Sequence, residues 1–216
     1  MSVDVRFGGI GGYGAGDGPA AVVVLHEWDG LVPHIRDVTD RVAALGFTAF
    51  APDLYDGASA PWGDTAEAER LQRQVLRDPE GEAARIGRVV SELRERGHSK
   101  VATLGFCTGG ALSILTSALY PVDATVAYYG IFARRGERNI ANPVLVHVAE
   151  HEEHNPPASP EQFPTWFAGM PNVAVHIYPG TRHAFFNDTY PDCYDAAAAR
   201  LSWDRTTSFF REHLHS

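Results

Sequence analysis

Hydrophobic residues along this chain fall into two alternating patterns. Short unbroken apolar runs are followed by longer stretches with helical periodicity. The run from Ala20 to His26 is β-branched at its centre, as expected of a strand buried on both faces of a mainly parallel sheet. After it, Ile35, Val38, Val42 and Leu45 recur at helical spacing, and Gly46 supplies a stop, predicting a helix over 33–45. Further strands are predicted at Phe47 to Ala51, Val101 to Leu104, Thr125 to Tyr129, Val144 to Val148 and Asn172 to Tyr178, with helices over about 108–119 and 194–213. Such alternation predicts a doubly wound α/β fold, with a mainly parallel sheet and helices on both faces. Asp64 to Arg77 and Glu82 to Arg96 read as two surface helices whose alternating charges form solvated faces. The glycine-rich stretch Gly8 to Gly18 reads only as turn or flexible entry.

No internal repeat or linker interrupts this order, so the 216 residues are expected to form one domain. With 44% hydrophobic and 21% charged residues, the composition is that of a folded water-soluble protein. The 18 basic against 27 acidic residues give a formal charge of −9. That balance removes the electrostatic drive toward nucleic acid or an anionic membrane. The start, Met1 to Gly14, has no basic run leading into a long apolar stretch, so neither a secretory signal nor a membrane anchor is expected, and cytoplasmic residence follows. Two cysteines are too few for a disulfide scaffold.

One of the two has a chemical setting. Cys107 lies in Gly105-Phe106-Cys107-Thr108-Gly109-Gly110, between a predicted strand and a predicted helix. A nucleophile elbow occupies that place, because the sharp turn exposes the side chain and small neighbours relieve the crowding. The helix starting at Thr108 aims its free N–H groups at the sulfur, favouring thiolate. The glycine spacing does not match a dinucleotide-binding turn. Cys193 has no comparable frame and reads as a loop or helix-start residue. A base for Cys107 is expected after the last strand, where Pro179-Gly180-Thr181-Arg182-His183 places His183 at the carboxyl edge of the sheet. An acid partner is expected in the loop after Val148, where Glu150, Glu152 and Glu153 compete. His151 and His154 lack the spacing and third ligand of a zinc site, so no metal is expected.

Four segments together resemble the dienelactone hydrolase family of cysteine α/β-hydrolases: Leu25 to Gly30, Ala51 to Tyr55, Gly105 to Gly110 and Tyr178 to Phe185. The resemblance runs from about residue 20 to 214 and implies an α/β-hydrolase fold with Cys107 as nucleophile and His183 as base. It also implies Glu27 facing the thiol, an oxyanion hole from the backbone amides of Thr108 and Trp28, and Glu152 at the acid position. Two departures stand out. The family usually carries aspartate where Glu152 stands, and the extra methylene displaces the carboxylate by roughly 1.5 Å on a fixed backbone. An arginine that binds a substrate carboxylate in the dienelactone-cleaving member is matched here by Asn187, with Arg70 or Arg73 as candidates for a second arginine. Tyr55 and Phe185, with Trp28, Trp62 and Phe132, are candidates for an apolar pocket wall. The expected activity is cleavage of a small-molecule ester or lactone through a thioester, without cofactor, by a monomer or small homo-oligomer. The alternatives are a thioesterase, a hydrolase of a biosynthetic lactone or peptide, or a non-hydrolytic member with a redox-sensing Cys107.

Overall fold

A computed structural model of the chain describes residues 3–130, 140–152 and 167–215. The apolar runs pair into one eight-stranded sheet. In chain order the elements are β1 (Val3–Phe7), β2 (Ile10–Ala15), β3 (Ala21–Leu25), α1 (Pro33–Ala44), β4 (Thr48–Pro52), α2 (Thr65–Val75), α3 (Pro79–Glu95), β5 (Val101–Phe106), α4 (Thr108–Leu119), β6 (Ala124–Tyr128), β7 (Val144–His151), β8 (Val173–Arg182) and α5 (Ala196–Leu214). The strand order is β1-β2-β4-β3-β5-β6-β7-β8; β1 and β2 are antiparallel and the pairs from β4 to β8 are parallel. This is the predicted α/β-hydrolase architecture, with a two-stranded antiparallel addition.

Strand β3 is buried at every position, and its side chains divide by period two. Val22 and Val24 pack with Ile35 and Val38 of α1 and Phe210 of α5, whereas Val23 and Leu25 pack with Leu71 of α2 and Ile86 of α3. The two charged helices therefore do more than present a solvated face. Ala68, Leu71 and Val75 of α2 and Ile86, Val89, Val90 and Leu93 of α3 are buried. Each such Leu, Ile or Val contributes roughly 1.5–3 kcal/mol on leaving water, which outweighs the exposed pairs Arg70–Glu67 and Arg96–Glu92 on the outer sides. Aspartates start three of the helices: Asp64, Asp78 and Asp195 accept the backbone N–H of Glu67, Gly81 and Ala198.

The stretch Gly8 to Gly18 differs from its expectation. Gly8 and Gly9, with φ of 59° and 82°, turn a hairpin whose second arm, β2, hydrogen-bonds to β4. A Cβ on Gly12 would run into the Ala51 carbonyl and the Phe50 ring. Close packing thus demands glycine in a strand, and the same glycine erases the strand's propensity signal.

Candidate active site

The turn from β5 into α4 holds Cys107 at φ 52° and ψ −117°. A non-glycine residue reaches that region only when its surroundings impose it. Here they do: the Cys107 amide donates to the Tyr128 carbonyl (3.0 Å), and the Ala111 amide to the Cys107 carbonyl (3.1 Å). The flanking glycines are required by space, since a Cβ on Gly105 would strike the Gly109 carbonyl, and one on Gly109 the Leu25 carbonyl. Cys107 is partly exposed and unbridged. The Thr108 amide, at the first helical position, has no intrahelical acceptor and adds to the positive end of α4.

Strand pairing brings the acid and the histidine together. Strands β7 and β8 run parallel in register until Ala149 pairs with Tyr178, after which His151 pairs with Arg182. The two extra residues in β8 form a bulge, in which Gly180 takes φ 74° and donates its amide to Glu150 Oε2 (2.7 Å). Both strands run longer than the apolar pattern indicated, and the next residue on each is Glu152 and His183. Glu152 Oε1 lies 2.6 Å from His183 Nδ1, with the carboxylate side chain fully buried and the imidazole 12% exposed. The longer glutamate thus meets the histidine on this bulged backbone. Glu150 is spent on Gly180, while Glu153 and His154 lie outside the described residues.

Cys107 acts on the same imidazole, first through its charge and then through side-chain contact. Burial pulls the imidazole pKa down, but the Cys107 thiolate and the Glu152 carboxylate outweigh it and push it up to about 10. The imidazole is therefore held protonated at neutral pH. Among the described residues four non-glycines have positive φ, and three of them, Cys107, Tyr129 and Ala184, belong to or adjoin this constellation.

The β3 terminus supplies the opposite wall. His26 is buried and neutral, its pKa lowered by desolvation; Nδ1 donates to the Glu27 carbonyl (2.7 Å) and Nε2 accepts the Leu54 amide (3.2 Å). His26 therefore holds the backbone of the segment that carries Glu27 and Trp28. The Glu27 carboxylate, 2% exposed, accepts from Tyr129 Oη (3.0 Å) and from the buried Asn187 amide. Burial and the Glu27 charge raise the Tyr129 pKa well above normal, keeping it a donor, and the charge of Cys107 acts on the same phenol. One residue further, Trp28 Nε1 donates to Tyr190 Oη (3.0 Å), which donates to Asp29. Burial raises the Asp29 pKa to about 6, Tyr190 opposing and Glu27 adding to the rise.

Other candidates are placed differently. Phe185 is fully buried against Tyr129 and Tyr178, so it supports the site from the core and lines no open surface. Arg70 and Arg73 are exposed and paired with Glu67 and Glu69 on their own helix; the α2 side chain that reaches the nucleophile turn is Gln72, bonded to Thr108 Oγ1. Tyr55 packs edge-on against His26, its buried hydroxyl without a partner among the described residues, and the Cys107 charge contributes to raising its pKa, after burial. Trp62 is 72% exposed and bonds the Thr189 carbonyl; Phe132 lies outside the described residues. Sequence reading missed Gln72, Tyr129, Tyr190 and the link from Asn187 to Glu27. None sits in a motif, and only the departure at Asn187 marked one of them.

Comparison with known proteins gives the family and the fold. The sequence model of the dienelactone hydrolase family matches residues 11–214. Protein usf of Aquifex pyrophilus is 33% identical over 210 residues, covering 91% of this chain and 90% of that protein. A carboxymethylenebutenolidase of Pseudomonas putida is 27% identical, covering 94% and 90%. A dienelactone hydrolase-like promiscuous phosphotriesterase from metagenomic libraries superposes with a TM-score of 0.83 at 24% identity, covering 99% and 98% of the two chains, and shares the fold. Among the described residues no helix is long and apolar enough to cross a membrane. Sequence and fold agree: the chain belongs to the dienelactone hydrolase family and is an enzyme of its lactone- and ester-hydrolase class.

Proposed function

We propose that this chain hydrolyses a small-molecule carboxylic ester or lactone by acyl transfer through Cys107. The thiolate attacks the carbonyl carbon, and the oxyanion is held by the Thr108 and Trp28 backbone amides. Collapse of the tetrahedral intermediate breaks the C–O bond, and the leaving alkoxide takes the proton of the His183 imidazolium, leaving a thioester. His183 then removes a proton from water, which attacks the thioester, releases the acid and restores the thiolate–imidazolium pair. Glu152 fixes the His183 tautomer and stabilises its charged form. Glu27, clamped by Tyr129 and Asn187, sets the field in which the thiol ionises.

The carrying observation is the 2.6 Å contact between His183 and Glu152, with Cys107 on a strained elbow acting on the same ring. It favours hydrolysis over a redox-sensing thiol, which needs no acid at the far side of the histidine. The substrate class is narrowed by Asn187: a buried neutral amide committed to Glu27 puts no positive charge where a substrate carboxylate would bind. Neutral esters and lactones fit this site better than carboxylate-bearing ones. The two unbridged cysteines accord with a reducing compartment such as the cytoplasm.

The test is turnover of p-nitrophenyl acetate and a panel of neutral and acidic lactones, with mass spectrometry of the protein after brief mixing. Cys107→Ala is expected to lose roughly 1,000-fold or more in kcat/KM, and the wild-type adduct is expected on Cys107. Retention of the wild-type rate by Cys107→Ala overturns the mechanism.

A further inference from the structure

We propose that Gln72 and Thr108 form a relay that directs the Thr108 hydroxyl proton to the Cys107 sulfur and favours its thiolate form. Gln72 reaches in from α2 and donates Nε2–H to Thr108 Oγ1 at 2.6 Å. An amide nitrogen only donates, so this bond occupies a lone pair of the hydroxyl and leaves the hydroxyl's one proton unspent. Among the described residues, the other hydrogen-bonding neighbour of Oγ1 is Cys107 Sγ, at 3.9 Å. A thiolate only accepts, so in the ionised state Thr108 must be the donor. Thr108 is 6% exposed, which limits competition from water, and donation to a charged acceptor is worth more there than at a wetted surface.

The relay is separate from the backbone groups of the same turn. The Thr108 amide serves the oxyanion in the proposed mechanism, whereas its side chain faces the sulfur and acts before substrate arrives. Thr108 thereby touches the reacting atom, and Gln72 acts through it as a positioning residue. Helix α2 gains a role that its exposed arginines do not supply: its buried residues Ala68, Leu71 and Val75 dock it on the sheet, and the neighbouring Gln72 reaches the thiol's first polar contact.

The inference rests on Cys107 as the nucleophile of the proposed hydrolase, so its test reads the thiol itself. The rate of iodoacetamide alkylation at Cys107, resolved from Cys193 by mass spectrometry, is followed against pH in the full chain. Thr108→Val is expected to raise the midpoint by about one pH unit, while Thr108→Ser stays near wild type. Gln72→Glu keeps the shape but accepts the Thr108 proton and takes it from the sulfur, so its midpoint rises at least as far; Gln72→Met, which frees the hydroxyl to rotate, gives a smaller rise. A role confined to packing lowers the melting temperature without moving the midpoint. Wild-type midpoints in both Thr108→Val and Gln72→Glu overturn the relay, and the half-buried Gln72 keeps the test available if the threonine variant fails to fold. Shifted midpoints with no ester turnover in any form leave the relay standing and remove the hydrolase reading.

Discussion

Two histidines, one within β7 and one just past β8, hold their protons in opposite ways. His183, just past β8, is raised to about 10. His147, in the middle of β7 and fully buried, has a pKa well below normal. Burial lowers both, so burial does not separate them. Their partners do. His183 meets the Glu152 carboxylate and Cys107, whose charges raise its pKa against burial. His147 lies between two neutral hydroxyls, with Nδ1 against Tyr178 Oη (2.8 Å) and Nε2 against Thr206 Oγ1 (3.0 Å). Burial chiefly lowers it, and the nearby His176 and Arg205 add to the effect. The same side chain thus holds its proton just past the end of β8 and serves as a neutral hydrogen-bonding strut within β7, according to the charge of the groups it meets.

The comparison breaks most visibly if the wrong histidine proves essential. His183→Gln is expected to lose roughly 1,000-fold or more in ester turnover with little change in melting temperature. Removing only the charge beside it tests the cause: Glu152→Gln preserves shape but is expected to lose on the order of 100-fold to 1,000-fold in kcat, and a loss below tenfold sinks the argument that a carboxylate sets the histidine's state. His147→Leu is expected to behave in the reverse sense, costing about 1–3 kcal/mol in urea unfolding because the Tyr178 and Thr206 hydroxyls lose their partner, while turnover stays within about twofold of wild type.

Acid unfolding sharpens the contrast. A histidine whose folded pKa is depressed binds fewer protons folded than unfolded below about pH 6.5, so the stability tied to its neutral state is present above that pH and lost as pH falls. The stability gap between wild type and His147→Leu should therefore narrow from pH 7.5 to pH 5. His183 has the opposite sign, with stabilisation present below its unfolded value and lost as pH rises through about 10. The smallest expected effect is at Arg205, which donates to Tyr178 Oη (3.0 Å). Arg205→Met should raise the His147 midpoint by roughly a few tenths of a pH unit, readable from its ring resonances by NMR. A fall instead would show that the cation is not among the groups holding His147 neutral.

Local patterns carried much of this protein in advance. The apolar runs place β3 to β7 within a few residues, because a parallel strand covered on both faces has no polar positions to blur it. Gly105 and Gly109 advertise the elbow, because a strained turn between strand and helix excludes side chains. The hairpin of β1 and β2 was illegible for the converse reason: its glycines answer contacts with β4 that are distant in sequence. The clamp on Glu27 was equally hidden, since Tyr129 and Asn187 lie 102 and 160 positions away.

Legible along the chain alone are the alternation of strands and helices, the cysteine at the turn, and the order of cysteine, glutamate-rich loop and histidine. Each follows from short-range sterics or from spacing along one element. The tertiary structure decided which carboxylate meets His183, which side chain of α2 reaches Thr108 beside the thiol, and which histidine is charged. Those outcomes depend on a two-residue bulge between β7 and β8, on the docking of α2, and on the charges enclosed around each ring. All three are set collectively by packing, where a shift of one residue exchanges one side chain for another.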